Sequence, residues 1–218
     1  MSEARVIVLA GGSGATGAVL ARQLLDAGHT VVATGRSADR LAKLVAAVPA
    51  VKAVESDATD LAAMIDLSTR LLAEYGRIDA VVPLVGGWRG GGGLAGQSDA
   101  DFAALLPALE AVRTTSRAFD AALQASDAGR FAIVSSTAVA RPLAGGANYA
   151  AVKAASEAWA RAVAQGFAKS ARESGEPLRA ASVVFRAKAL DAGALAARIE
   201  ALWDTEAADL NDQIFDLD

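Results

Sequence analysis

The sequence predicts an α/β fold in which one parallel β-sheet of about seven strands is covered by helices on both faces. Short runs rich in β-branched residues alternate with alanine-rich stretches of helical length along all 218 residues. The connections between these segments are short, which favours parallel strands joined by helical crossovers. No internal repeat or change of composition divides the chain, so residues 1–218 are expected to form a single domain.

Seven short segments, several of them rich in β-branched residues, have the character of strands, and the first has that of a buried strand. The predicted strands are "RVIVLA" (5–10), "TVVAT" (30–34), "VKAVES" (51–56), "IDAVVPLV" (78–85), "RFAIVSS" (130–136), "LRAASVVF" (178–185) and "QIFDL" (213–217). Most of these runs are continuously apolar rather than alternating, which is typical of strands covered on both faces.

Six alanine-rich segments of helical length lie between these strands. The predicted helices are 15–27, 38–48, 60–75, 99–126, 148–171 and 193–203. Gly28 and Pro49 follow the first two helices and act as stop signals. Pro107 falls inside the fourth helix and predicts that this helix is kinked or divided.

The composition excludes several classes of function. The chain has no cysteine, which rules out disulfides, thiolate catalysis and Cys-based zinc sites. The net charge is −4 with acids and bases interleaved, so neither a nucleic-acid footprint nor a polybasic membrane patch is present. No apolar run reaches the length of a membrane span, and "MSEARVIVLAGG" lacks the features of a signal peptide. We expect a soluble, cytoplasmic protein with no metal, nucleic acid or membrane partner.

A glycine-rich turn, "GGSGATG", joins the first predicted strand to its helix. Such glycines allow a tight turn, close approach of the backbone to a pyrophosphate and close packing of the helix on the sheet. A tight turn without a ligand is the alternative, but the position after the first strand favours a dinucleotide bound in a Rossmann-type fold. The residues predicted to contact the cofactor here are Gly11, Ser13, Gly14, Ala15, Thr16 and Gly17.

The end of the second strand predicts which cofactor is used. A carboxylate there would bind the ribose hydroxyls of NAD, but Gly35 stands at the position and is followed by Arg36 and Ser37. A guanidinium and a hydroxyl suit the 2′-phosphate of NADP, so NADP(H) is predicted, with NAD(H) and a merely solvated arginine as alternatives. After the third strand, Asp57 and Ala58 are predicted to border the adenine, although Asp57 would equally suit a strand-end or capping role.

The segment "NYAAVKAASEAW" carries the predicted catalytic chemistry. Tyr149 and Lys153 are four residues apart, so they share one face of a helix. A neighbouring ammonium stabilises a phenolate, which would let Tyr149 act as a general acid near neutral pH. Ser136 ends the strand before this helix, where its hydroxyl could bind the same substrate oxygen. A Tyr-x-x-x-Lys pair on a helix surface and a simple strand-end turn at "SST" are the alternatives.

These residues resemble the short-chain dehydrogenase/reductase family over nearly the full length of the chain. The resemblance rests on the glycine turn, "GRIDAVV", "AIVSS", "YAAVK" and the order of the strands. It implies that Tyr149 donates or accepts the proton, that Lys153 also holds the nicotinamide ribose, and that Ser136 orients the substrate. It further implies hydride transfer between the nicotinamide and a substrate carbon, and assembly as a homodimer or homotetramer.

The chain departs from the family pattern at three places. Residues 83–86, "PLVG", stand where most members have "NNAG", and "LLPALEAVRTT" offers no counterpart of the catalytic asparagine. "VVFRAK" replaces the usual "PG" after the sixth strand, and only a short connection follows it. These differences imply an open or minimal substrate pocket, and they make a catalytically silent NADPH sensor or scaffold the competing interpretation.

A glycine run, "PLVGGWRGGGGLAGQ", follows the fourth strand at the expected ligand crevice. With the glycine turn, it resembles the dihydropteridine reductases of the family, which also lack the asparagine but use NADH through an acidic residue. Val85, Gly86 and Gly87 are predicted to border the nicotinamide, and Trp88 either to face a flat substrate or to pack on a neighbour. Residues 90–93 are predicted to form a mobile flap.

The sequence therefore predicts an NADP(H)-dependent oxidoreductase acting on a small carbonyl or conjugated C=N or C=C compound. A quinonoid dihydropteridine reductase is the narrower alternative. Ser136, Tyr149 and Lys153 are all present, which favours an enzyme over a silent binding protein.

Overall fold

A seven-stranded parallel sheet forms the centre of the molecule, in a computed structural model that describes residues 3–217. The strand order is β3-β2-β1-β4-β5-β6-β7. The strands are β1 (Val6–Ala10), β2 (Thr30–Gly35), β3 (Lys52–Glu55), β4 (Ala80–Pro83), β5 (Arg130–Ser136), β6 (Ala181–Ala187) and β7 (Ile214–Asp216). The order reverses between β1 and β4, which confirms the predicted doubly wound, Rossmann-type fold.

Helices connect successive strands, and most lie close to their predicted positions. They are α1 (Ala15–Asp26), α2 (Ala38–Ala47), α3 (Leu61–Tyr75), α4 (Asp99–Ala125), α5 (Ala147–Ser174), α6 (Ala192–Glu200) and the short α7 (Ala207–Leu210), which was not predicted. α5 extends three residues beyond its predicted end, because Gly175, with a left-handed φ of 72°, is the residue that ends it. Among the helices of residues 3–217, none combines the length and apolarity needed to cross a bilayer.

α4 continues through Pro107 as one helix of 27 residues, so the predicted division of this helix is wrong. Leu105 and Ala108 on either side of the proline are buried against Val152 of α5. Packing of this kind holds the helix together across the one backbone hydrogen bond that proline removes.

Two apolar layers cover the sheet, and β1 contributes to both. Ile7 and Leu9 point into the layer beneath α1 and α6, whereas Val8 and Ala10 point into the layer beneath α3, α4 and α5. Successive side chains of a strand alternate between the faces of its sheet, so a strand in the middle of this fold must be apolar at every position. This explains the continuous apolar run that predicted β1.

All strands are parallel, so their carboxyl ends meet at one edge of the sheet. The glycine turn, the loop after β4 and the segment before α5 all lie at this edge. The residues predicted for cofactor and substrate therefore converge there, although they come from five different strand ends.

Candidate active site

The glycine turn forms the floor of a cleft of about 380 Å³ at the carboxyl ends of the strands. Gly11 has a left-handed φ of 77°, and a Cβ there would come within 2.5 Å of the Val85 side chain. Gly14 is the N-cap of α1, and a Cβ there would meet no atom within 4 Å. The unpaired N–H groups at the start of α1 are thus left beside open space, which is the arrangement that binds phosphate.

Not every residue of the turn faces a cavity. Ser13 lines the first cleft with Gly11 and Gly14, and Thr16 lines the adjoining cavity. Gly17 is buried within α1, where a Cβ would overlap the carbonyl oxygen of Gly12. Gly17 therefore acts by allowing close packing of the helix on the turn. Neither Gly17 nor Ala15 lines these cavities.

The end of β2 borders the part of the cleft where the adenosine half is predicted to bind. A Cβ at Gly35 would lie 2.6 Å from Ser13 Oγ, so packing leaves no room there for the carboxylate that NAD would need. Arg36 has 71% of its side chain exposed and lines the cleft with Ser37 and Arg40. Two guanidinium groups and a hydroxyl are available to an anion at this point.

Asp57 and Ala58 line the same cleft as Arg36 and Arg40. Asp57 Oδ1 accepts hydrogen bonds from the backbone N–H and the hydroxyl of Thr59, at 2.9 and 2.7 Å. Asp57 Oδ2 lies 3.7 Å from a guanidinium nitrogen of Arg36. Asp57 therefore stabilises the turn after β3 and orients Arg36, which is the structural role that the sequence left open.

Tyr149 and Lys153 stand one turn apart near the start of α5 and line a second cavity with Val85, Gly86 and Gly87. The Lys153 ammonium donates a 2.7 Å hydrogen bond to the Val134 carbonyl and lies 5.8 Å from the centre of the Tyr149 ring. Burial lowers the pKa of Lys153 to about 8, and the negative charge of Glu157 opposes that shift.

A buried ion pair beneath this pair holds α5 against the sheet. Glu157 accepts hydrogen bonds from Ser135 Oγ at 2.5 Å and from two guanidinium nitrogens of Arg186 at 2.9 and 2.6 Å. Glu157 is one turn beyond Lys153, Ser135 is in β5 and Arg186 is in β6. The bond to Glu157 raises the pKa of Arg186. These contacts set the rotation of α5, and with it the position of Lys153.

Ser136 ends β5 and lines a third cavity, of about 910 Å³, together with Tyr149. Its side chain is buried, and its Oγ accepts a 3.2 Å hydrogen bond from the Ala138 N–H. The hydroxyl proton therefore remains free to be donated to a bound molecule. The three side chains predicted to be catalytic all lie at this edge, and Tyr149 borders both cavities.

The loop after β4 forms one wall of the third cavity. Trp88 lines it with 61% of its surface exposed, so Trp88 is not packed into the core of this chain. The predicted flap is hydrogen-bonded to the segment before α5, since the Gly91 N–H donates to the Gly145 carbonyl at 2.7 Å. The Gln97 amide adds bonds to the carbonyls of Gly91, Gly93 and Gly145.

Sequence reasoning missed three basic residues at the site, which are Arg40, Arg141 and Lys188. Arg40 lies in the first turn of α2, close in the chain to Arg36 and Ser37, and this position at a helix N-terminus could have identified it. Lys188 directly follows β6, at the edge where ligands bind. Arg141 lies in an irregular segment between β5 and α5, where no periodic pattern exists to reveal which residues face the cavity.

The family described as short chain dehydrogenase matches residues 5–171, which is well over half of the chain. The protein belongs to this family. A short-chain dehydrogenase is an oxidoreductase that binds NAD or NADP, and the matched range includes the glycine turn, Ser136, Tyr149 and Lys153. No curated protein matches the chain significantly in sequence.

Solved structures of short-chain dehydrogenases share the fold over nearly all of this chain and most of their own length. A putative short chain dehydrogenase from Shigella flexneri 2a, complexed with NADP, has a TM-score of 0.80 at 18% identity, covering 98% of this chain and 96% of the other. A short-chain dehydrogenase from Streptomyces avermitilis has a TM-score of 0.81 at 22% identity, covering 99% of this chain and 89% of the other. A short-chain type dehydrogenase/reductase from Mycobacterium ulcerans has a TM-score of 0.84 at 17% identity, again covering 99% of this chain and 89% of the other. At these identities, the likeness concerns the fold alone.

Proposed function

We propose that this short-chain dehydrogenase is an NADP(H)-dependent oxidoreductase, which moves a hydride between the nicotinamide and a small carbonyl or conjugated C=N or C=C compound. One observation carries the proposal. Tyr149 lines both the cavity that contains Lys153 and the cavity bordered by Ser136 and Trp88. A single phenol thus borders the space predicted for the nicotinamide and the space open to a substrate, as a proton donor for reduction must.

The residues around the cleft suit NADP(H). The floor at Gly14 is open beside the N-terminus of α1, which fits a pyrophosphate. Arg36, Ser37 and Arg40 would hold the 2′-phosphate, and Gly35 leaves no carboxylate to repel it. The NADP in the Shigella flexneri relative is consistent with this choice.

The chain itself would supply position and a proton, while NADPH supplies the hydride when bound. Tyr149 donates its phenolic proton to the substrate oxygen. Ser136 donates a hydrogen bond to the same oxygen, since a carbonyl oxygen can only accept and the Ser136 hydroxyl proton is not used by the bond from the Ala138 N–H. Lys153 stabilises the phenolate that Tyr149 leaves behind, because an ammonium 5.8 Å from the ring centre favours the charged form. The proposed assembly, a homodimer or homotetramer, follows the family resemblance.

Tyr149→Phe tests the proposal directly. We expect NADPH oxidation, screened against carbonyls, quinones and quinonoid dihydropterins, to be abolished while the dissociation constant for NADPH stays nearly unchanged. Tyr75→Phe is the matched control, because Tyr75 is the other tyrosine of the chain and ends α3. Turnover that survives Tyr149→Phe would contradict the assigned proton donor.

The same screen separates the two alternatives. Selective use of quinonoid dihydropterins would support the narrower interpretation, which rests on the glycine run and the exposed indole of Trp88. Tight NADPH binding without turnover of any acceptor would instead support a silent sensor, which the missing asparagine and the altered "NNAG" and "PG" segments favour.

A further inference from the structure

Basic side chains are concentrated around the cleft of a protein whose net charge is −4. Asp57 is the one carboxylate among the residues that line the three cavities, and it is already engaged by Thr59 and Arg36. Five basic residues line the same cavities, namely Arg36, Arg40, Lys153, Arg141 and Lys188. The positive electrostatic potentials of these side chains add up within the cleft, so the cleft attracts anions.

Three of these five charges have a role in the proposed function, and two do not. Arg36 and Arg40 border the adenosine end, and Lys153 lies beside Tyr149. Arg141 lines only the third cavity, with Ser136 and Tyr149. No carboxylate within residues 3–217 lies within ion-pair distance of Arg141. Lys188 lines both the second and the third cavity.

The remainder of the third cavity is largely apolar. Trp88 comes from the loop after β4, and Leu143 from the segment before α5, with 61% and 71% of their surfaces exposed. Exposed apolar side chains that line one cavity together are typical of a ligand-binding site. The cavity thus combines an apolar surface, a hydroxyl pair at Ser136 and Tyr149, and a guanidinium.

We propose that the substrate is an oxo acid, a small apolar or aromatic carbonyl compound that carries a carboxylate. This inference rests on the proposed function and adds its substrate class. The planar guanidinium of Arg141 pairs with the carboxylate, assisted by Lys188, while Trp88 and Leu143 cover the apolar body. The carbonyl oxygen is then held at Ser136 and Tyr149. Bound NADPH would supply the hydride to the carbonyl carbon, and Tyr149 would supply the proton to the oxygen, so that the oxo acid becomes a hydroxy acid and NADPH becomes NADP⁺.

Pairs of an acid and its methyl ester, which differ in charge and by one methyl group, test the inference. Phenylglyoxylate is compared with methyl phenylglyoxylate, and 4-formylbenzoate with methyl 4-formylbenzoate. We expect kcat/KM for the better acid to exceed that for its ester by about tenfold or more, the value of one charge-assisted hydrogen bond. Arg141→Gln should reduce the acid-to-ester ratio towards one by lowering the rate with the acid. Arg172→Gln, near the opposite end of α5, should leave the ratio unchanged.

Binding provides a second readout that does not need turnover. The dissociation constants of acid and ester are measured calorimetrically with NADP⁺ present, for the wild type and for Arg141→Gln. Preferential binding of an acid, lost in Arg141→Gln, supports the anion site even without turnover, and then only the proposed reductase function fails. Equal kcat/KM for acids and esters would leave the reductase function standing and overturn the anion site. The anion site is also overturned if the wild type binds and uses neither acid, or if the ratio is unaffected in Arg141→Gln.

Discussion

At the scale of single residues, the proposed preference for NADP(H) rests on Arg36 and Arg40, beside the N-terminus of α2. Arg36→Ala should weaken NADPH binding by about tenfold or more and barely change NADH binding, because one charge-assisted contact to the 2′-phosphate contributes roughly 1.5–3 kcal/mol. Arg40→Ala should act in the same direction, since Arg40 lines the same part of the cleft. Calorimetric titration with both cofactors is the measurement.

Lys43→Ala is the matched control, because Lys43 is an exposed residue of α2 that does not line the cleft. Equal affinities of the wild type for NADPH and NADH would contradict the assignment of the two arginines.

The lowered pKa of Lys153 predicts a pH dependence of cofactor binding. Because burial brings this pKa to about 8, the ammonium is present below pH 8 and is lost as the pH rises above it. If the ammonium binds the ribose, the affinity for NADPH should fall about tenfold as the pH rises through the pKa of Lys153. The measurement is made in Tyr149→Phe, which removes the phenol from the titration.

Lys153→Met supplies the comparison for this pH dependence. It should bind NADPH more weakly at pH 7 and show no transition near pH 8. A flat profile between pH 7 and 9 in Tyr149→Phe would rule out a binding role for the ammonium.

At the scale of elements, Gln97 joins α5 to two loops whose residues Gly91 and Gly145 line the third cavity. Its amide nitrogen bonds to carbonyls on both loops, and its Oε1 accepts from the Asn148 N–H at the start of α5. Gln97→Leu should therefore speed hydrogen exchange at residues 90–97 and 143–148. It should also lower kcat/KM about tenfold without changing NADPH affinity, because Trp88 and Tyr149 would lose their fixed separation.

Gln124→Leu serves as the control for this substitution, because the Gln124 amide bonds only to Asp120 on the exposed face of α4. Unchanged exchange in both segments of Gln97→Leu would mean that the backbone bond from Gly91 to Gly145 is sufficient to hold the loop. The mobile flap predicted from the glycine run also predicts slower exchange at residues 86–96 when NADPH and substrate are bound.

At the scale of the whole molecule, Asp79 ties the amino-terminal edge of the sheet together. Its carboxylate is fully buried and accepts hydrogen bonds from the Val6 N–H at 2.8 Å, from Arg77 at 2.9 Å and from Ser126 Oγ at 2.6 Å. Asp79→Ala leaves these donors without their acceptor. The free energy of unfolding should fall by about 3–5 kcal/mol, measured by urea denaturation.

The surface pair of Asp66 and Arg70 provides the contrast, since 66% of the Asp66 side chain is exposed. Asp66→Ala should cost about 0.5 kcal/mol or less. Asp79 lies just before β4, at the edge opposite the active site, so Asp79→Ala should keep wild-type kcat at temperatures where it is folded. Equal stability losses in the two variants would contradict this account.

The sequence alone determined the features that depend on local pattern. Continuous apolar runs identified the central strands, because a strand covered on both faces must be apolar at every position. The glycine turn and the spacing of Tyr149 and Lys153 could also be recognised in the sequence, because a turn and a helix each fix the relative positions of residues that are close in the chain. Ser136 was identified because it ends a strand, and strand ends meet at the ligand-binding edge.

Only the tertiary structure decided the contacts between residues far apart in the chain. Arg141 and Lys188 line one cavity although 47 positions separate them in the chain. Glu157 pairs with Arg186, which lies 29 positions further on. The hydrogen bond from Lys153 to the Val134 carbonyl and the bond from Gln97 to the Gly145 carbonyl also join residues that are distant in the chain. No short-range periodicity encodes such pairs, because the packing of helices on the sheet brings them together. The positive charge around the third cavity is therefore a property of the fold rather than of any motif.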